Sequence, residues 1–313
     1  MTDLDTNPDL DDAVDGYAPD ILDKPHIKVL DILLKNHPPT RYGVEATFLK
    51  AKPADCDREV VVPEWKWEAP SFNRISPDHM IKIDANGAYL APVSGTDIAH
   101  DGLSHTGAIE FNRNPGYWLI DYHQWSDRSI IVSPLGNYVP PGKRRLIWLT
   151  TPTVTLLTEL QQAGRWPDFQ VYDSWTCARK TRANEWVREV REMRTEAIHD
   201  RDNDPDYLAA VKQGYVYAFQ LMLGPRPGYP RRAGILRPDW YRTYKAAHAA
   251  NTWRKAHWLT TIGIDVLRMR EIDELTIRKS DWPVLLHRIE TDPKAKLKID
   301  QSGINLGQFK VKP

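Results

Sequence analysis

The sequence predicts an α+β fold, a mostly antiparallel sheet with a helical insertion at about residues 165–235. Three observations predict it. Short apolar or alternating runs bounded by turn residues occupy the first half of the chain. Three long stretches with helical spacing follow between positions 174 and 263. Finally, "IDVLRMREIDELTIRKSD" (264–281) alternates apolar and polar residues on both sides of "EID", the mark of two short strands joined by a tight turn.

Taken in order, "MTDLDTNPDLDDAVDGYAPD" opens the chain with seven Asp and no Lys, Arg or Glu, so residues 1–22 are expected to be a disordered acidic tail. "PHIKVLDILLKN" (25–36) reads as a short strand or helix, and "REVVVPEWKW" is the best strand candidate in the Pro-punctuated stretch that follows. Residues 23–75 are expected to form an N-terminal segment packed on the sheet. "HMIKIDANGAYLAP" reads as a strand running into a turn or helix start, and "GYWLIDYHQW" (116–125) and "RRLIWLTTP" (144–152) read as strands. "TPTVTLLTELQQAG" (151–164) is helical, with Thr153 as a candidate cap and Gly164 at its C-terminus. A helix is expected over 174–198, with Trp175, Trp186, Val187, Val190 and Met193 on its apolar side and six Lys or Arg on the remainder. A second runs over 202–224 from near Asp204-Pro205 to Gly224, and a third over 239–263.

With 313 residues and 36.0 kDa the chain is long enough for one large domain or two intimate ones. No apolar run is long enough to cross a bilayer and no leader pattern opens the chain, so a soluble, cytoplasmic protein is expected. Cys56 and Cys177 are too few and too far apart for a disulfide framework or a structural zinc site. The ten His form no metal-ligand spacing. Lys+Arg and Asp+Glu both number 42, and the seven Asp of residues 1–20 leave the body with 42 − 35 = 7 excess positive charges. That excess permits nucleic-acid binding without demanding it. Among the twelve Trp, those at 175, 186, 253 and 258 fall at helical spacing and are expected in the core rather than as base-stacking platforms.

The chemistry concentrates in carboxylates. Asp84 ends the strand "MIKID", and Glu271 and Asp273 sit at the hairpin turn almost two hundred residues later. Acidic residues at a turn are commonplace. Two strand-borne carboxylates from distant segments are, however, a way to hold hard divalent cations, and Mg²⁺ uses one or two carboxylates with substrate phosphates. The Lys- and Arg-rich helical pair between them suits a triphosphate.

Over roughly residues 75–313 the sequence resembles the palm and fingers of family B DNA polymerases, in particular the protein-primed replicases of phages and linear plasmids. That family's first motif runs Asp-x-x-Ser-Leu-Tyr-Pro, and "DANGAYL" supplies Asp84 and Tyr89 at the same spacing. Its third runs Tyr-x-Asp-Thr-Asp-Ser, and "MREIDE" places Glu271 and Asp273 at the two acidic positions. Its second, Lys-x-x-x-Asn-Ser-x-Tyr-Gly, is met only by "VKQGYVYAFQLMLG", in one of two registers: Lys212 at the motif lysine with Tyr217 and Phe219 following, or Gly224 at the motif glycine. Asn-Ser is missing in both. "NLGQFKVKP" resembles the palm segment near the primer, with Gly307 and Lys310 in its Gly and basic places.

The resemblance implies palm segments at 76–164 and 236–313 around fingers at 165–235. It implies that Asp84 and Asp273 hold two Mg²⁺, with Glu271 auxiliary, and that Tyr89 lies under the sugar of an incoming dNTP. Lys212, Arg191 and Arg194 are expected on the triphosphate, and Lys310 and Arg254 on DNA. The implied activity is template-directed nucleotidyl transfer on a DNA primer-template, without an exonuclease or thumb in the sequence, with a replication partner or terminal protein as a possible companion. Two rivals remain. One is a non-catalytic DNA-binding accessory protein of the same fold. The other is an RNase H-like nuclease using Asp84, Asp121 and Asp173.

Overall fold

The structure, a computed structural model, describes Val29, Ile32 and residues 60–126, 132–140, 145–223 and 237–312. The acidic tail, most of "PHIKVLDILLKN", Cys56 and residues 224–236 lie outside the described residues. The strands are β1 (Val60–Val61), β2 (Trp65–Glu68), β3 (Met80–Ala85), β4 (Ile98–Ala99), β5 (Ser104–His105), β6 (Gly116–Asp121), β7 (Leu146–Thr150), β8 (Val171–Thr176), β9 (Lys180–Thr181), β10 (Val266–Glu271), β11 (Glu274–Arg278) and β12 (Phe309–Val311). The helices are α1 (Thr151–Gln162), α2 (Asn184–His199), α3 (Pro205–Leu223), α4 (Pro238–Thr261) and α5 (Trp282–Thr291).

The sheet that carries the site has the order β12-β3-β11-β10-β2 and is antiparallel throughout. Alternation along β3 explains its two faces. Ile83 and Ala85 point into the core, while Lys82 and Asp84 stand on the other side. A second five-stranded sheet, β1-β7-β6-β8-β5, is antiparallel except where β1 meets β7. Of the segment 76–164, β3 belongs to the first sheet and β6 and β7 to the second.

One core joins the two sheets. Ile83, Leu275 and Phe309 from the first, Trp118 and Leu149 from the second, Leu157 of α1 and Trp253 of α4 all belong to it. Trp118 and Trp253 are fully buried, so truncating either to Ala costs about 3–5 kcal/mol. α2, α3 and the start of α4 build a separate core around Trp186, Phe219 and Tyr244, joined by Leu90 and Val93 from the segment after β3.

The stretch 174–198 departs from expectation. It is the end of β8, then β9, and only from Asn184 a helix. Trp175 is buried, but on a strand facing Tyr117 across the ladder. Its register against β6 overrides a spacing that suits a helix equally well. Thr153 does not cap α1 either. It lies buried inside the helix, which starts after the extended Thr150 with a proline in its first turn. Gly164, just past the end of α1, has the expected left-handed φ of 68°. α3, α4 and the β10–β11 hairpin fall where the periodicity places them.

Candidate active site

β3 lies between β11 and β12, and the register sets Glu274 on one side of Asp84 and Lys310 on the other. The hairpin that delivers Asp273 turns tightly, with Glu271 at a left-handed φ of 52° and Ile272 buried at the tip. The amide of Ala85 donates to the Asp273 carbonyl at 3.3 Å, which anchors the turn to the end of β3. The two side chains meet there: the Asp84 and Asp273 carboxyl groups are hydrogen-bonded to each other. Burial, reinforced by the neighbouring Asp84 and Glu271 charges, pushes Asp273 up to about 8. Burial also raises Asp84, opposed by Lys312 and Lys310. The pair therefore gives up its protons less readily than two separate carboxyls in water would.

Lys312 was not foreseen. Its Nζ lies 3.6 Å from Asp84 Oδ1 and 2.9 Å from Glu274 Oε2. Burial works against its charge, but Glu274 and Asp84 more than offset that and raise its pKa. Glu274 was also missed. The one signal for both was alternation, which puts Glu274, Lys310 and Lys312 on the same sheet face as Asp84.

The small residues after Asp84 have a structural task. The Asn86 amide donates to the Gln308 carbonyl at 2.8 Å, its side-chain amide to the Asp300 carbonyl at 2.8 Å, and its carbonyl accepts from Gly307. Gly87, at φ 57°, is so close to the same segment that a Cβ there would lie 2.5 Å from Leu306 Cδ2. Asp84 is thus fixed by a turn that grips the 300–308 loop. Tyr89 then lies with its ring 5.5 Å from that of Phe219 on α3. Burial raises its pKa, with Tyr241, Asp273, Glu271 and Glu64 adding, so it stands near the carboxylates as a neutral phenol.

Lys212 comes to the same place from α3. Burial lowers its pKa, Lys310 and Arg194 lower it further, and Asp84 opposes them. Arg194 is buried, with Nη1 3.4 Å from the Ile304 carbonyl. It packs α2 onto the 300–308 loop. Arg191 is exposed and reaches Asn305 Oδ1 at 3.5 Å. Arg254 is occupied elsewhere, in a two-pronged pair with Glu159 of α1 at 2.8 and 3.0 Å. Sequence reasoning also missed the α4 residues Lys245, His248 and Lys255. Lys245 pairs with Glu64 and borders a cleft with Tyr89, Phe219, Tyr241, Tyr244, His248 and Ile272.

The nuclease arrangement does not form. Asp121 accepts hydrogen bonds from the Gln170 amide and the Tyr172 hydroxyl, and Asp173 pairs with His105 at 2.7 Å, both in the second sheet. Among the described residues no three His, Cys, Asp or Glu side chains gather to hold a metal ion, so neither Asp84, Asp121 and Asp173 nor the expected set of Asp84, Asp273 and Glu271 forms a three-ligand site. The Asp84–Asp273 pair does suit a hard divalent cation. Two buried carboxylates that part with their protons reluctantly are neutralised equally well by a cation, which would take its remaining ligands from water and substrate.

The fold is a mixed α+β one, with antiparallel sheets and five helices among the described residues, of the kind found in a polymerase domain. Solved structures of Phi29 DNA polymerase share this fold. The ternary complex with primer-template DNA and incoming nucleotide substrates superposes with a TM-score of 0.57 at 10% identity, over 91% of this chain and 51% of that one. The binary complex with primer-template DNA gives 0.57 at 11% identity, over 91% and 50%. The orthorhombic crystal form gives 0.53 at 11%, over 91% and 51%. The chain thus spans about half the length of the polymerase structures it matches. No protein-family profile and no curated protein sequence matches it. No described helix is long and apolar enough to cross a membrane.

Proposed function

We propose that this protein is a DNA-directed nucleotidyltransferase of the polymerase type. The observation that carries the reading is the meeting of Asp84 and Asp273. They come from β3 and from the β10–β11 turn, far apart in the chain, to the edge of one antiparallel sheet, with Lys310 opposite Asp84 and the charge of Lys212 felt there. Asp84 and Asp273 would hold Mg²⁺, with Glu271 at the margin. The cations would polarise the phosphoryl group and stabilise the attacking and leaving oxygens. Lys212 supplies positive charge for a dNTP triphosphate, Tyr89 offers a flat neutral wall for its sugar, and exposed Arg191 adds a second cation at the edge. Lys310, opposite Asp84 on β12, is suited to a DNA phosphate. The assignment of Arg194 to the triphosphate has less support, since its guanidinium is buried against Ile304, and so has that of Arg254 to DNA, since Glu159 takes its fork.

The test is primer extension by the purified protein with Mg²⁺ and dNTPs. Asp84→Ala and Asp273→Ala should each abolish incorporation, because either removes a ligand of the cation. Wild-type extension by Asp273→Ala would dismiss the site. One observation favours a second reading, a DNA-binding accessory protein. Lys312 already places a cation on Asp84 and Glu274, and a fixed ammonium there competes with a metal. Intact primer-template binding without any incorporation would favour that reading. A replication partner or terminal protein belongs to either.

A further inference from the structure

α4 carries a cation that the reading above leaves without a role. Lys255 Nζ donates to the Gly307 carbonyl at 2.8 Å and lies 4.7 Å from the centre of the Phe309 ring. Gly307 is held from its other side as well, since its amide donates to the Asn86 carbonyl at 2.8 Å, two residues beyond Asp84. Phe309 begins β12, opposite Ala85, and Lys310 follows opposite Asp84. We propose that Lys255 is a positioning residue: its ammonium ties the root of β12 to α4, and so sets Lys310 and Lys312 against the site carboxylates.

The chemistry of the partners supports this. A lysine kept for stability alone is normally matched by a carboxylate or left in water. Lys255 has neither. It faces a carbonyl and an aromatic ring from the β12 side, and His248 two turns back on its own helix. His248 is itself buried, pushed down to about 3, and neutral. Its neighbour Arg254 is paired with Glu159, and Lys310 stands on the far face of β12. Among the described residues no acid offsets the burial of the ammonium, which lowers its pKa to about 8. An apolar chain of the same length would fill this space at less cost. What it would lack is a strong, directional donor for the Gly307 carbonyl.

The proposal rests on the polymerase-type reading only for the purpose of holding β12; the tie itself stands on the fold. Hydrogen exchange of the 300–312 amides tests it, read by mass spectrometry between pH 6.5 and 9.5, corrected for intrinsic exchange, with Asp273→Asn in every protein compared, wild type at 255 included, so that the site carboxyl pushed up to about 8 does not titrate alongside Lys255. Wild-type protection should fall about three- to tenfold as pH rises through 8, the worth of one hydrogen bond. Lys255→Met should be poorly protected at every pH. Lys255→Arg, which does not titrate in this range, should stay protected throughout. Equal protection of Lys255→Met and wild type, or the wild-type pH fall in Lys255→Arg, would overturn the proposal. This readout needs no catalysis, so a protein that extends no primer would count against the proposed activity and leave exchange to decide the tie.

Discussion

Replacing Asp273 by Asn should make the metal-free protein more stable while removing its activity. The carboxyl of Asp273 is raised from 3.8 to about 8 by burial beside Asp84 and Glu271. At pH 7 the native protein must keep a proton there that the unfolded chain releases. The sign follows from linkage: a group with a raised native pKa binds more protons folded than unfolded, so its contribution is full below 3.8 and is lost as pH rises towards 8. By pH 7 that loss approaches 3.2 pH units, about 4 kcal/mol as a ceiling at 1.36 kcal/mol per unit. Asp84 titrates together with Asp273 and keeps its own burial, so a single substitution should recover about 1–3 kcal/mol, or several degrees in Tm. Thermal unfolding in EDTA at pH 5 and pH 7 measures it, and the gain of Asp273→Asn over wild type should be larger at pH 7. Mg²⁺ at ten times its Kd should stabilise wild type by about 1.4 kcal/mol and the variant by far less. A lower Tm for Asp273→Asn in EDTA at pH 7, or equal stabilisation of both proteins by Mg²⁺, would refute this account of the site.

Three further outcomes follow from placement. Lys212→Ala should raise the KM for dNTP about tenfold or more in primer extension while changing DNA affinity little, as expected for a charge on the triphosphate. Tyr89→Val should relax discrimination against ribonucleotides, measured as the ratio of kcat/KM for dNTP and rNTP; an unchanged ratio would return Tyr89 to a packing role against Phe219. Gly87→Ala should lower stability by about 1–3 kcal/mol in denaturant titration, because it places a side chain at a left-handed φ and forces Leu306 to move.

The approach of Asp84 to Asp273 was legible because both carry local signals. Each follows a run whose alternation marks a strand, and Tyr89 stands at the spacing of the first motif, whereas Lys212 fits the second in only one of two registers. Elements with two compatible periodicities were not legible. The window around Trp175 satisfies helical spacing, yet Trp175 belongs to β8, and only the pairing with β6 decides between them. α5 was legible but went unread: Trp282, Leu285, Leu286 and Ile289 stand at the i, i+3, i+4, i+7 spacing of a helix face, and Asp281 and Pro283 mark its start. Nor could the sequence show which cations are spoken for. Arg191, Arg194 and Arg254 look alike on paper, but one is exposed, one is buried against a carbonyl and one is paired with Glu159. Lys255 and Lys312 acquire meaning only from cross-strand register and from burial, neither of which a single sequence displays.

The position of β3 has a consequence for synthesis. Among the described residues this strand has as its sheet neighbours β11 and β12, which are made long after it and begin at residues 274 and 309. On a ribosome adding 5–20 residues per second, Asp84 would wait about 10–40 s for the first of them. The second sheet, by contrast, can close from residues 60–176 alone. From residue 176 onward a nascent chain should therefore hold one finished sheet and one apolar strand, "MIKIDA", still without partners, and holding chaperones would be needed then rather than later. A release-arrested chain ending before Glu274 should be protease-resistant in its second sheet and cut readily around Lys82.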